Sequence, residues 1–94
     1  MQLTQFQANM LVTLVEKYEE LVIFAKLDKF IDPDAKIAAK LEIKIGSFTV
    51  IIFGNVNYIL LHKYKEIINS DFFLETESES INAILRCMKI IDSE

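Results

Sequence analysis

The chain has 94 residues and a formal net charge of −4, and 52% of its residues are hydrophobic, with two glycines, one proline and one cysteine. This composition excludes disorder, collagen-like repeats and low-complexity linkers, and the length predicts one domain over residues 1–94. The net negative charge argues against a nucleic-acid binder that relies on bulk positive charge. One cysteine cannot form an internal disulfide, and residues 1–16 carry no basic residue of a secretory leader, so we expect a cytoplasmic location.

The charges are unevenly distributed along the chain. Residues 1–35 carry three lysines against six acids, residues 36–66 carry five lysines against two acids, and residues 67–94 carry two basic residues against six acids. A basic middle segment therefore lies between two acidic ends. The longest apolar run, Phe48 to Leu61, has fourteen residues and contains two asparagines, so it is too short to span a bilayer, which takes about 20 apolar residues.

The first element is predicted to be one long helix. Thr4 and Gln7 stand at the spacing of a capping box, in which each side chain satisfies a backbone N–H of the first turn. Apolar residues follow at helical spacing, and no breaker occurs before Pro33, so we expect a helix of about 26 residues. One apolar stripe of this helix comprises Met10, Leu11, Leu14, Val15, Tyr18, Leu21, Val22 and Ala25, and a second side carries Val12, Ile23, Leu27 and Phe30.

Residues 36–53 predict a β-hairpin. Apolar residues alternate with polar ones up to Gly46-Ser47, a two-residue turn in which glycine takes a positive φ. Folding about this turn pairs Ile45 with Phe48, and the register places six apolar residues on one face, namely Leu41, Ile43, Ile45, Phe48, Val50 and Ile52. The opposite face mixes charged residues with Thr49, Ile51 and Phe53.

The next segment fits two patterns. After a turn at Gly54-Asn55, residues 56–62 alternate as a third strand would, and the same segment also fits helical spacing. We favour a strand over 56–62 followed by a short helical turn at 63–69. A last helix is predicted after Thr76 and Glu79, which stand at a second capping-box spacing, and its apolar face is Ile81, Ile84, Leu85, Met88 and Ile91.

The chain is therefore predicted to be α+β, with a long N-terminal helix, a small antiparallel β-hairpin or three-strand meander, and a C-terminal helix. Both helices are expected to pack on one side of the sheet, against its apolar face.

No motif of a familiar enzyme class is present. A single histidine, His62, excludes an HExxH site and any zinc site with two histidines, and two glycines cannot build a phosphate-binding loop. Cys87 lies among aliphatic residues at helical spacing, which favours a core position over a reactive thiol. We expect no catalytic, cofactor-binding or metal-binding residues, and no cofactor.

Two surfaces are candidate binding sites. The first is surplus apolar surface, because a small sheet and one short helix cover two sides of a long helix poorly; its residues are Val12, Ile23, Leu27, Phe30, Ile51 and Phe53. The second is a basic strand face that could contact a nucleic-acid backbone, formed by Lys36, Lys40, Lys44, Lys63 and Lys65.

The apolar surface is the stronger candidate, because five lysines without arginine form a thin patch between acidic ends. We therefore expect a non-enzymatic protein-interaction module, acting as an adaptor, chaperone or inhibitor, that binds a protein partner or forms a homodimer. Nucleic-acid contact through the lysine face is the alternative.

Overall fold

The structure is a computed structural model that describes residues 2–31, 37–54, 59–64, 66–71 and 77–94. Within these residues, two helices and five strands follow one another. They are α1 (Gln5–Lys17), β1 (Val22–Ile31), β2 (Ile37–Ile45), β3 (Phe48–Phe53), β4 (Ile59–Lys63), β5 (Glu66–Asp71) and α2 (Glu77–Asp92).

The five strands form one antiparallel meander. Their order in the sheet is β1-β2-β3-β4-β5, so each strand pairs with its neighbour in the chain. The α+β class predicted from the sequence is confirmed, and the sheet has more strands than the hairpin or three-strand meander that we expected.

The β2–β3 hairpin is confirmed in its register. Ile45 pairs with Phe48, Ile43 with Val50 and Leu41 with Ile52. Gly46 has φ +57°, the left-handed conformation that glycine adopts without steric cost. The turn chemistry and the hydrophobic alternation thus select the same pairing.

The prediction of a long N-terminal helix is wrong. The capping box at its start is confirmed, with the Thr4 hydroxyl accepting from the Gln7 N–H at 3.1 Å and the Gln7 side chain accepting from the Thr4 N–H at 2.9 Å. The helix nevertheless ends at Lys17, with Tyr18 as its C-cap. Residues 22–31 form strand β1, which pairs with β2 from Val22 to Ile31 except at Ile23. Ladder hydrogen bonds and a β-branched and aromatic start to the strand outweigh the helical spacing of its apolar residues.

The prediction for residues 56–69 is right in part. Residues 59–62 lie in β4, and residues 55–58 fall outside the described part of the chain, so the turn at Gly54-Asn55 is not settled. The helical turn at 63–69 is wrong, because residues 66–71 form β5. Tyr64 lies between β4 and β5 with φ +52° and turns the chain back. Thr76 of the second predicted capping box is also outside the described residues.

Both helices cover the same face of the sheet, which we call the inner face. Its strand residues are those predicted from the β2–β3 register, joined by Ile59 and Leu61 of β4. Helix α1 adds Met10, Leu14 and Tyr18, and α2 adds Ala83, Ile84, Cys87, Met88 and Ile91, in one continuous hydrophobic cluster. Side chains that alternate to the other side of the sheet form the outer face.

Candidate interaction surface

The sheet has two edges, β1 and β5, and within the described part of the chain no strand pairs with the free side of either. The backbone orientation of β1 follows from two hydrogen bonds. The Ala39 carbonyl accepts from the Gly54 N–H at 2.9 Å, so Ala39 and the alternate residues of β2 point toward β3, away from β1. The Lys29 N–H, opposite Ala39, donates instead to Oδ1 of Asp28 at 2.9 Å. Ala25, Leu27 and Lys29 therefore direct their backbone groups to the free edge.

Large apolar side chains are exposed at the start of this edge. Leu21, Ile23 and Phe24 are 50%, 66% and 43% exposed. Ile23 is the additional residue in a register shift between Val22 and Phe24, so it has no partner residue on β2. Three adjoining apolar side chains at the start of an edge strand are typical of a protein-binding surface rather than of scattered surface residues.

Tyr18 connects the turn before β1 to helix α2. Its side chain is buried, and its hydroxyl lies 2.8 Å from Oδ1 of Asp92 and 3.1 Å from the Met88 carbonyl, both on α2. Its own carbonyl accepts from the N–H groups of Leu21 and Val22. Burial, followed by the hydrogen bond to Asp92, raises the pKa of Tyr18 far above its usual value. The position of Leu21 is thus fixed by contacts with both helices.

Acidic side chains surround the same turn. Glu16, Glu19 and Glu20 line an open hollow of about 310 Å³ together with Lys17, Tyr18 and Leu21. Lys17 is held by Asp92, with 2.6 Å between Nζ and Oδ2, and its ammonium lies 5.4 Å from the centroid of the Tyr18 ring. The hydrogen bond from Lys17, followed by the one from Tyr18, lowers the pKa of Asp92. Leu21, the first of the exposed apolar residues, therefore borders a negatively charged rim.

The outer face of β1 and β2 carries a ladder of opposite charges. Lys26 lies opposite Glu42 and Asp28 lies opposite Lys40 in the strand register. Within β1, Nζ of Lys26 lies 3.2 Å from Oδ2 of Asp28. The backbone N–H of Lys29, followed by the hydrogen bond from Lys26, lowers the pKa of Asp28. Positive and negative side chains on this face are close to balanced.

The structure brings together only part of the predicted lysine face. Lys40 and Lys44 share the outer face of β2, but Glu42 lies between them. Lys63 lies on the inner side, where Nζ is 2.6 Å from Oε2 of Glu94 and 5.3 Å from the centroid of the Phe48 ring. Lys36 and Lys65 fall outside the described residues. Nucleic-acid contact stays a prediction, with two of its five lysines on one face.

The six predicted interface residues are spread over the fold. Val12, on α1, is 54% exposed and Ile23 is 66% exposed. Leu27 points to the inner face and packs against the core, and the side chain of Phe30 is outside the described part. Ile51 and Phe53 lie on the outer face but are only 9% and 7% exposed, so they offer little surface to a partner.

Sequence reasoning missed Leu21 and Phe24 as surface residues. Leu21 was assigned to the buried stripe of a helix that ends before it, and Phe24 to neither stripe. The signal was present in the run from Val22 to Ala25, which combines β-branched and aromatic residues and favours a strand.

His62 and Cys87, the two residues considered for nucleophilic chemistry, are on opposite faces of the sheet. His62 lies opposite Thr49 on the outer face, and its Nε2 is buried and has no hydrogen-bond partner among the described residues. Cys87 is 2% exposed in the inner-face core, as its spacing predicted. The described residues include no cluster of metal-ligating side chains, and neither described helix is long and apolar enough to cross a membrane.

Comparison of the chain with protein-family models, curated proteins and solved structures returned no match. The functional argument therefore depends on the surface itself. The exposed start of β1 is its most distinctive feature.

Proposed function

We propose that this chain is a non-enzymatic protein-interaction module, of the adaptor, chaperone or inhibitor type, that self-associates. One observation carries the proposal: Leu21, Ile23 and Phe24 expose large apolar side chains beside a strand edge that no other described strand pairs with. Burial of apolar surface contributes about 25 cal/mol per Å², so covering these three side chains would drive association. An unpaired edge adds main-chain hydrogen bonds to the same contact.

The acidic rim gives the surface a preference among partners. Glu16, Glu19 and Glu20 line a hollow together with Leu21 and repel a second acidic surface that approaches the same turn. A partner must therefore cover the apolar residues with a neutral or basic segment. In a homodimer, the two acidic turns must lie apart.

The proposal is tested by the native mass, measured by light scattering after size exclusion over a tenfold concentration range. We expect a dimer whose population rises with concentration. Ile23→Lys places a charge in the proposed contact and should weaken the dimer, whereas Val12→Lys makes the same change at an exposed residue of α1 and should not. A monomer at every concentration would overturn the proposal.

The two variants also locate the contact. Loss of the dimer in Val12→Lys but not in Ile23→Lys would place the contact on α1 and exclude the start of β1. Both residues are more than half exposed, so neither change disturbs the core.

A further inference from the structure

We infer that a second copy of the chain adds to the free edge of β1 in antiparallel orientation, in a register centred on Leu27. The inference rests on the proposed self-association and names its surface and geometry. It follows from three considerations: the direction of the backbone groups of β1, the symmetry of an edge-to-edge dimer, and the order of the charges along β1.

The backbone of β1 is oriented for this pairing. Ala25, Leu27 and Lys29 direct their N–H and C=O groups to the free edge, as the hydrogen bonds of Ala39 and Lys29 establish. An antiparallel pair of such residues exchanges two N–H···O=C bonds. In the register proposed, Leu27 pairs with Leu27 of the second copy, and Ala25 pairs with Lys29.

Symmetry restricts the registers that are available. Two identical strands that pair antiparallel are related by a two-fold axis perpendicular to the sheet, so opposed residues lie on the same face. The axis must therefore pass beside one residue, which then lies opposite its own copy. It cannot pass between two consecutive residues, because residues on different faces would then lie opposite each other. The central candidates in β1 are Ala25, Lys26, Leu27 and Asp28.

Charge distinguishes these candidates. An axis at Lys26 places the two copies of Lys26 opposite each other. An axis at Asp28 places the two copies of Asp28 opposite each other. An axis at Ala25 places Lys26 opposite Phe24. Only the axis at Leu27 places Lys26 opposite Asp28 of the second copy, and it does so twice. Opposite charges directly across an antiparallel pair stabilise it, and like charges destabilise it.

The ends of the interface are consistent with the same register. In this register Phe24, an exposed aromatic residue, lies opposite position 30 of the second copy. The start of one β1 lies beside the end of the other, so the two acidic turns are separated by roughly the length of a ten-residue strand, about 30 Å. This separation exceeds the screening length of about 8 Å, beyond which exposed charges interact weakly at physiological salt.

In the monomer, the charged residues of β1 disfavour pairing of its free edge with other strands. Oδ1 of Asp28 accepts from the Lys29 N–H, and Oδ2 lies near Lys26. Charged residues within an edge strand disfavour pairing with most other strands. In the Leu27-centred dimer the Ala25 carbonyl of the second copy takes over the Lys29 N–H, and Asp28 gains a second lysine. The same charges thus disfavour pairing with other strands and favour pairing with a second copy of the chain.

Two charge variants test the register. Lys26→Asp leaves two acids on the outer face of β1, and Asp28→Lys leaves two lysines. Each variant alone repels its own copy, so its dimer should dissociate about 10- to 100-fold more readily than the unmodified dimer. An equimolar mixture of the two should form a dimer again, because every 26–28 pair across the axis is then of opposite charge.

The mixture is the decisive arm, because a merely structural effect of either substitution would not be cancelled by a second protein. Ile68→Lys, at an exposed residue of the other edge strand, is the matched control and should leave the dimer unchanged. Circular dichroism checks that each variant is folded. If a charge variant is unfolded, Ala25→Pro replaces it, since proline removes an N–H from the free edge alone and should also yield a monomer.

The outcomes separate the two proposals. If the unmodified chain dimerises and both charge variants do so equally well, the Leu27-centred register is overturned and self-association stands. If the single variants are monomeric and their mixture stays monomeric, the register is likewise overturned. If the unmodified chain is a monomer at every concentration, both proposals fail.

Discussion

The side-chain amide of Gln7 lies directly against Gly54. A Cβ atom built on Gly54 would stand 3.0 Å from both Nε2 and Oε1 of Gln7. Gln7 is fully buried, and Nε2 donates to the Ile52 carbonyl at 2.9 Å and to the Ala39 carbonyl at 3.2 Å. The Gly54 N–H donates to the same Ala39 carbonyl. One side chain thus anchors the start of α1 to the ends of β2 and β3.

This close approach predicts that Gly54→Ala destabilises the fold. The added methyl group must push the Gln7 amide aside and strain its three hydrogen bonds, and overpacking of this kind costs about 1–3 kcal/mol. In a Gln7→Ala background the space is open, and the same substitution should cost less than about 0.5 kcal/mol. Urea unfolding of the four proteins measures the coupling. If Gly54→Ala lowers the free energy of unfolding equally in both backgrounds, the contact with Gln7 is not the cause of the loss.

A second prediction concerns the donors of Gln7. Gln7→Glu replaces the two N–H donors with a carboxylate that faces the carbonyls of Ala39 and Ile52, and we expect a loss of at least about 3 kcal/mol at neutral pH. Gln7→Met keeps the size of the side chain and should cost less, because it buries no charge.

The pH dependence of Gln7→Glu distinguishes charge from shape. Burial raises the native pKa of the new carboxyl above the unfolded value of about 4.3, so the penalty should shrink as the pH falls toward that value. Chemical unfolding of Gln7→Glu and Gln7→Met at pH 7 and pH 5 measures this change. A penalty that is independent of pH in both variants would contradict the explanation.

The raised pKa of Tyr18 predicts a loss of stability at alkaline pH. Its pKa is raised by burial and by the hydrogen bond to Asp92, so the native state keeps the phenolic proton above the ordinary value of 10.0, where the unfolded chain releases it. The contribution of Tyr18 is therefore fully present below about pH 10 and declines above it by up to about 1.4 kcal/mol per pH unit.

Tyr18→Phe is the variant that tests this assignment. Removal of the hydroxyl should cost about 1 kcal/mol at neutral pH and flatten the decline above pH 10. Denaturant midpoints from pH 7 to pH 11 measure both effects. If the stability of Tyr18→Phe declines above pH 10 as steeply as that of the unmodified chain, groups other than Tyr18 cause the decline.

Tyr64 is expected to be a strained position. It has φ +52° between β4 and β5, a conformation that costs a residue with a Cβ atom about 1–2 kcal/mol, and its side chain is 80% exposed. Tyr64→Asn should raise the free energy of unfolding by up to about 1 kcal/mol, because asparagine tolerates this region. Tyr64→Val, which is β-branched, should lower it. The melting temperatures of the two variants should therefore move in opposite directions.

Elements defined by local chemistry were predictable from the sequence. The capping box of Thr4 and Gln7 and the hairpin about Gly46 each depend on residues close together in the chain, and both were predicted with the right partners. The error lay in residues 18–31, where apolar residues fit both a helix and a strand. Pairing with β2, which only the folded chain supplies, decides between them.

The candidate surface was harder to predict than the core. Ile23 was identified as surplus apolar surface, but on a helix and together with Leu27, which belongs to the core. The edge position of β1 depends on the order of strands in the sheet, and spacing along the chain does not encode that order. Ile51 and Phe53 were likewise placed on the right face, and their burial followed only from the three-dimensional structure.

The nearest-neighbour order of the meander has a consequence for how the chain folds. Each strand pair closes a short loop, so the entropic cost of forming the sheet is low and the hairpins can form independently of the helices. Helix α1 is different, because Gln7 finds its acceptors 32 and 45 residues away and Tyr18 finds its partners 70 and 74 residues away. These contacts require β2, β3 and α2 to be in place already. We therefore expect α1 to dock last, so that its contacts report completion of the fold, at a stage when the edge of β1 has already formed.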